Sequence, residues 1–485
     1  MINRDLLQHP VWQPHELGCP IPDSQHAVSV ALPCWQDVVA YEEKAPETMR
    51  RIRTGYPRFV VHPLVQEMGR ALGGDQPCLP FPSATTAELA AQFVRASGAP
   101  ARLVMQKGMC GVATDGEGLV SLRAFWQHTG LVVSSRQAEV WMAGAGEDAD
   151  ADAIRRALRR QLAALYDCAA EDVFLTPSGM ASAFAALRAV QRRTPGCPTV
   201  QLGFPYVDTL KLQQKVGHGG HLLHDLDRAE PDLLELLPER KFAACFCEVP
   251  GNPLLGLADL KRITPILRRW GLPLVADDTV ATPLNVDLSG HADLIATSLT
   301  KFITGTGDAM GGALICNPRS PYYGQLRAMI EADHEKLLWG AEARVLEAQV
   351  RGFPDRMRQH NANGLLVAEK LRRHPAIERV WYPRWVNTEA YEAVRRPGGG
   401  WGALITFLPR QAESRAARVY DALEVCKGPS LGTVFSLACP FTYLAHYCEL
   451  EWARSCGVSP YLIRLSVGLE APDDLWRRIE RALDT

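Results

Sequence analysis

The stretch DLIATSLTKFITGTGDAMGGALICNP, residues 293–318, decides how this chain is read. An apolar, β-prone run reaches Thr297 and stops at Ser298-Leu299-Thr300-Lys301. Glycine-rich backbone follows at Gly305, Gly307, Gly311 and Gly312, and then a second apolar run. This pattern predicts a buried strand, a lysine at its end among hydroxyls, and a loop that turns into another strand. Upstream, GLPLVADDTV (271–280) reads as a further buried strand ending in Asp277 and Asp278. Parallel sheets bind ligands beyond the carboxyl ends of their strands, which is where this lysine and these acids fall.

The same alternation extends outward on both sides. AIRRALRRQLAALYDC (153–168) has helical periodicity, EDVFLTPSG (171–179) is strand-like, and GMASAFAALRAVQRR (179–193) is helical again. Strands are expected at PTVQLGF, FAACFCEVP, LPLVADD, DLIATSLT and GGALICNP, separated by helices such as ADLKRITPILRRW. Short, nearly continuous apolar strands alternating with helices predict an α/β fold with a mostly parallel sheet covered on both faces. After about residue 325 the pattern changes to long helices, the strands GALITFLP and LIRLSVGLE, and a final helix, DDLWRRIERAL. We therefore expect an amino-terminal arm over 1–75, a large domain over 76–325 with an inserted segment at about 76–150, and a smaller α+β domain over 326–485. AGAGEDADADA (143–153) reads as a surface loop.

Composition narrows the function classes. With 52 basic and 54 acidic residues the net charge is −2, which gives no general attraction to nucleic acid or to an anionic membrane. The amino terminus lacks a signal-like apolar core, and no run approaches the length that spans a bilayer. Thirteen cysteines, an odd number without CxxC pairs, are expected to be reduced thiols in a cytoplasmic protein, with no metal site.

The chemistry follows from the residue types. An amine that condenses with an aldehyde, an acid that pairs with a pyridinium nitrogen, and hydroxyls that hold a phosphate are what pyridoxal 5'-phosphate requires of a protein. Ser178, Gly179 and Met180 precede a helix, whose first N–H groups and dipole favour an anion, and Ser298 and Thr300 add hydroxyl donors. Any one of these features alone is ordinary: a strand-end lysine is usually exposed, and a serine before a helix is usually a cap. Their combination is what points to the cofactor.

The set Ser178-Gly179-Met180, Glu248-Val-Pro-Gly-Asn252-Pro253, Asp277, Ser298-x-Thr300-Lys301, Ser430-Leu-Gly432 and Arg464-x-Ser466-Val-Gly468-x-Glu470 resembles the cystathionine gamma-synthase family of Cys/Met metabolism enzymes. YPRFVVHP (56–63) and SLGTVFSLACPFTYLAHYCELEWA (430–453) look most like the fungal branch of that family. The resemblance implies the aspartate-aminotransferase-like architecture of fold type I, and a catalytic role for Lys301, Tyr206 and Asp277. It also implies that Asp277 holds the ring nitrogen, Tyr206 stacks on the ring, Asn252 meets the phenolic oxygen, and Arg464 grips the substrate carboxylate with help from Ser436. Tyr56 and Arg58 match a pair that reaches the phosphate of a neighbouring subunit, so a homodimer or homotetramer with shared sites is expected.

The implied reaction is gamma-replacement on an O-acyl-L-homoserine by cysteine, giving cystathionine. A gamma-lyase, or replacement by another nucleophile in a specialised pathway, uses the same cofactor residues and stays open. Two departures from the family pattern stand out. About 120 residues separate Tyr56 from Ser178, so 76–150 is an insertion, and its FWQHTGLVVSSRQAEV (125–140) is expected to thicken the domain rather than to cover the site. Phe435 stands where many gamma-acting members carry an acid, which predicts an altered substrate entrance.

Overall fold

The computed structural model describes residues 4–485 and contains three sheets. The large sheet is built from β4 (Val173–Thr176), β5 (Thr199–Leu202), β6 (Gly220–Leu223), β7 (Cys245–Glu248), β8 (Leu274–Asp277), β9 (Leu294–Ser298) and β10 (Gly312–Cys316). Its order is β4-β10-β9-β8-β7-β5-β6, parallel from β9 to β6, with β10 antiparallel to both neighbours. Both faces of this sheet are covered, which is why its strands are apolar throughout. β6 was not expected from the sequence: it is a partly exposed edge strand, GHLL, without a continuous apolar run.

Helix Gly179–Arg193 starts where Ser178 accepts a hydrogen bond from the N–H of Ala181, an ordinary N-cap. Helix Ala151–Leu165 buries Leu158, Leu162 and Ala163, one side of its helical period. The third sheet, from β11 (Ile377–Trp381), β12 (Leu404–Pro409), β13 (Cys426–Lys427), β14 (Leu437–Pro440) and β15 (Ile463–Ser466), has the order β11-β12-β15-β14-β13. Its strands all lie between residues 377 and 466.

The first 150 residues differ most from expectation. Helices Trp35–Glu42, Pro46–Arg51 and Pro63–Gly73 occupy what reads as an arm. Two of them open on proline, whose fixed φ and missing N–H suit a first helical turn, so proline density here marks helix starts rather than extended chain. The inserted segment is an antiparallel sheet of β1 (Cys78–Phe81), β2 (Ala101–Gln106) and β3 (Met109–Thr114), flanked by helices Ala84–Ala96, Gly116–Thr129 and Ser135–Met142. Its apolar side chains share one core with helix Pro63–Gly73 and helix Gly179–Arg193, so the inserted unit packs directly on the large domain and takes in residues upstream of 75. Residues 143–150 are exposed, as the surface-loop reading requires. Among the described residues every cysteine is free, and no helix is long and apolar enough to cross a membrane.

Candidate active site

A cavity of about 420 Å³ opens at the carboxyl ends of β7, β8 and β9. Lys301 projects into it from the turn after β9, Asp277 from the end of β8, and Arg464 from β15 of the third sheet. The Lys301 Nζ donates to Ser430 Oγ at 3.1 Å and lies 4.3 Å from the centre of the Tyr56 ring. Burial, with the charges of Arg464 and Arg58 added, holds its amine well below the ordinary lysine range. A lowered pKa favours the unprotonated amine, the form whose lone pair a nucleophile needs.

Asp277 and Asp278 are separated by the alternation of the strand. Asp277 faces the cavity, accepts the Thr279 N–H at 2.8 Å, and pairs with no cationic side chain among the described residues. Burial raises its pKa. Asp278 points the other way, where Tyr166 Oη donates to its Oδ2 at 2.9 Å, and burial pushes it up to about 7. The choice of Asp277 over its neighbour thus agrees with the geometry.

Arg464, 4% exposed, donates to the carbonyls of Pro429 and Ser430 at 3.0 and 2.8 Å, and its Nη1 reaches Asn252 Oδ1 at 3.5 Å. Glu248, the β7 residue in register with Asp277, organises the opposite wall. It accepts the Tyr206 N–H at 2.5 Å and the Asn252 N–H at 3.0 Å, fixing two cavity residues with one carboxylate. Burial, reinforced by Asp277 beside it, pushes Glu248 up to about 8.

Three observations fit pyridoxal phosphate. Asp277 is a half-buried carboxylate lacking a cation among the described residues, a partner that a ring N–H would supply. Ser298 Oγ is buried without a hydrogen-bond partner at the mouth of helix Gly179–Arg193. Gly179 leaves this corner open, since a Cβ there would come within 2.6 Å of Ser298 Cβ.

Several expected contributions fall elsewhere. Thr300 does not line the cavity: its hydroxyl donates to the Gly311 carbonyl at 3.3 Å and accepts the Gly311 N–H at 3.2 Å, closing the glycine-rich loop. The Ser178 hydroxyl is consumed as a helix cap and by the Gly130 carbonyl, leaving Gly179 and Met180 as the helix-start residues that line the cavity. Ser436 donates to Glu470 Oε2 at 2.9 Å inside the third-sheet domain, away from the cavity. Phe435 is buried against Leu6, Val11 and Ile21, so it forms part of the seat for the amino-terminal segment and not the substrate entrance.

The entrance is lined by Tyr41, Glu42, Lys211 and residues 444–449, where Lys211 pairs with Glu449 at 3.0 Å. Tyr56 and Arg58 also line this cavity. Gln127, from the inserted segment, also lines it, so that segment borders the site rather than thickening the domain. Glu248 was read only as part of a motif, without a role, and Asp208, Gln127 and His128 escaped the sequence reading. Glu248 had a signal, being an acid at a strand end beside Asp277. The other three had none, because only tertiary contact brings them together.

The family model for Cys/Met metabolism PLP-dependent enzymes matches residues 151–484. The chain is 31% identical to a cystathionine gamma-synthase of Neurospora crassa over 97% of this chain and 98% of that protein. It is 35% identical to the L-2-amino-4-chloropent-4-enoate dechlorinase/desaturase of Streptantibioticus cattleyicolor, over 94% of this chain and 95% of that one. The cystathionine gamma-synthase of Xanthomonas oryzae pv. oryzae, solved with aminoacrylate and cysteine, superposes with a TM-score of 0.60 at 28% identity, covering 68% of this chain and 85% of that chain.

Proposed function

The chain belongs to the Cys/Met metabolism PLP-dependent enzymes, and from that premise we propose that it catalyses gamma-replacement on an O-acyl-L-homoserine, with cysteine as nucleophile and cystathionine and the free carboxylic acid as products. The observation that carries this reading is the meeting of Lys301, Asp277 and Arg464 in one cavity, a set that a cofactor scaffold without an amino-acid substrate has no use for.

When bound, pyridoxal 5'-phosphate supplies an aldehyde for amines and a protonated ring that accepts electron density from substrate carbons. Lys301 would anchor it, Asp277 would hold the proton on its ring nitrogen, and Tyr206 would lie against the ring. Asn252 would meet the phenolic oxygen, while Gly179, Met180, Ser298 and Arg58 would receive the phosphate. The Arg464 guanidinium binds the substrate carboxylate through a fork of donors and so fixes Cα above the lysine. The Lys301 amine, with its lowered pKa, would take the proton at Cα and move one at Cβ, so that the acyloxy group could leave from Cγ as a carboxylate and a thiolate add there.

A second reading, elimination without replacement, is favoured by the 35% identity to a dechlorinase/desaturase. The two separate when the purified enzyme is given acylated homoserines with and without a panel of thiols, read by mass spectrometry. Cystathionine formed with cysteine is the expected result; keto-acid output indifferent to thiol rejects the transferase. We also read the chain as a cytoplasmic homodimer or homotetramer, a state that sedimentation of the purified protein would test.

A further inference from the structure

The mouth of the cavity carries Lys211, Glu449 and His446, whose charges largely cancel. Lys211, on helix Val207–Lys215, pairs with Glu449 Oε1 at 3.0 Å, and His446 Nδ1 lies 2.9 Å from the same oxygen. His446 is 2% exposed and packs among the rings of Phe204, Phe441 and Trp452. The hydrogen bond from His446, with Lys211 on the other side, holds Glu449 at about 2, so this acid stays charged. Burial lowers the His446 pKa and favours its neutral ring.

The other cations on the cavity lining are also engaged. Arg58 is ion-paired to Asp208, Arg464 is the anchor for the substrate's own carboxylate, and the Lys301 amine is held well below the ordinary lysine range. Lys44 stands on the exposed rim, where it donates to the Tyr41 carbonyl at 3.1 Å and lies 4.4 Å from the centre of that ring. Nearby, Glu42 lines the cavity, and burial lifts it to about 7 although Lys44 and Lys211 pull the other way. Among the described residues, the entrance therefore sets the amines of Lys44 and Lys211 against the carboxyls of Glu42 and Glu449, with no cation left over for a further negative charge.

Like charges brought together in a confined, partly desolvated site repel strongly, and their repulsion disfavours the wrong partner. An ester with a free carboxylate on its leaving side would place an unpaired anion at this entrance before the reaction. It would then depart as a dianion, because the leaving oxygen takes the electron pair of the broken Cγ–O bond. A free amino acid such as cysteine has no net charge, and its carboxylate and ammonium match a paired amine and acid. We propose that this entrance admits groups of zero net charge and excludes anions, so that the substituent lost from Cγ is an uncharged ester of the acetyl class rather than a succinyl or phosphoryl ester. The proposal deepens the gamma-replacement reading and rests on it.

The test gives holoenzyme and cysteine a set of L-homoserine esters: O-acetyl, O-succinyl, and O-succinyl capped as its methyl ester, which keeps the length and hides the charge. The expected kcat/KM is at least about tenfold higher for acetyl than for succinyl, the scale of one unfavourable charge contact, and the methyl ester should recover most of the loss. Succinyl turned over as well as acetyl, or better, would overturn the proposal. A methyl ester as poor as succinyl would assign the discrimination to size and overturn it too. Glu449→Gln, at a side chain 31% exposed, releases Lys211 and should move the succinyl-to-acetyl ratio several-fold toward succinyl. Lys211→Met added to that variant should reverse the gain, and an unmoved ratio in Glu449→Gln would reject charge pairing as the cause. Binding is followed in parallel from the shift in cofactor absorbance on titration with each ester. An enzyme that turns over none of the esters would fail the gamma-replacement reading, while the order of their dissociation constants would still decide the charge preference.

Discussion

The floor and the wall of the cavity treat buried charge in opposite ways. On the floor, built from strand ends of the large sheet, the Lys301 amine is held well below the ordinary lysine range, Asp277 has no cation among the described residues, and Ser298 keeps a free hydroxyl. On the wall, where the inserted unit meets residues 56–58 and 206–208, Arg58, Asp208, His128 and Gln127 satisfy one another almost completely. Burying polar groups without partners costs free energy. Incomplete satisfaction on the floor therefore points to groups that wait for a ligand, and saturation on the wall points to groups that hold others in place.

That contrast is broken or sharpened by substitution. Lys301→Ala should have the largest effect, removing the visible cofactor absorbance and lowering turnover by at least about 10³-fold, the range for losing a positioned proton carrier. A spectrum and rate like those of wild type would remove the lysine from the chemistry. Asp277→Ala should lower kcat by about 10²- to 10³-fold, as expected when a preorganised electrostatic partner is lost. Stopped-flow rates on protein with matched cofactor content would check this, and a change under threefold would mean the floor carboxylate is not an electronic partner.

Arg464→Ala is expected to act chiefly on binding, raising the substrate KM by about 30-fold, equivalent to ~2 kcal/mol. An unchanged KM would transfer the carboxylate anchor to another residue. The smallest effect concerns stability. Burial raises Asp278 from 3.8 to about 7, so the folded state binds a proton that the unfolded chain releases, and stability falls as pH rises from about 4 to about 7. Asp278→Asn should flatten that part of the Tm-against-pH curve while leaving turnover near wild type; an unaltered slope would mean that the carboxyl titrates normally.

Much of the floor was legible in the sequence, because a continuous apolar run ending in polar residues identifies both a buried parallel strand and its ligand end. Lys301, Asp277, Arg464, Asn252 and Tyr206 meet in the cavity as the motifs implied. What failed was the direction of individual hydroxyls. Thr300 lies past the end of β9, where strand alternation no longer fixes which way a side chain points, and Ser436 is claimed by Glu470 thirty-four positions away. On the wall, Tyr56, Arg58 and Tyr206 were legible but the groups that pair with Arg58 were not. Its contacts span 150 residues from Arg58 to Asp208 and 80 from His128, and a lone arginine or histidine in sequence carries no record of such a partner. The amino-terminal arm likewise holds helices that the sequence reading did not assign, two of them starting at Pro46 and Pro63.

The measurement closest to the centre of this account is the location of the covalent adduct. Holoenzyme reduced with borohydride, digested and sequenced by mass spectrometry should carry the cofactor's mass on Lys301 and nowhere else. An adduct on a different lysine, or none from protein fully supplied with pyridoxal phosphate, would contradict it.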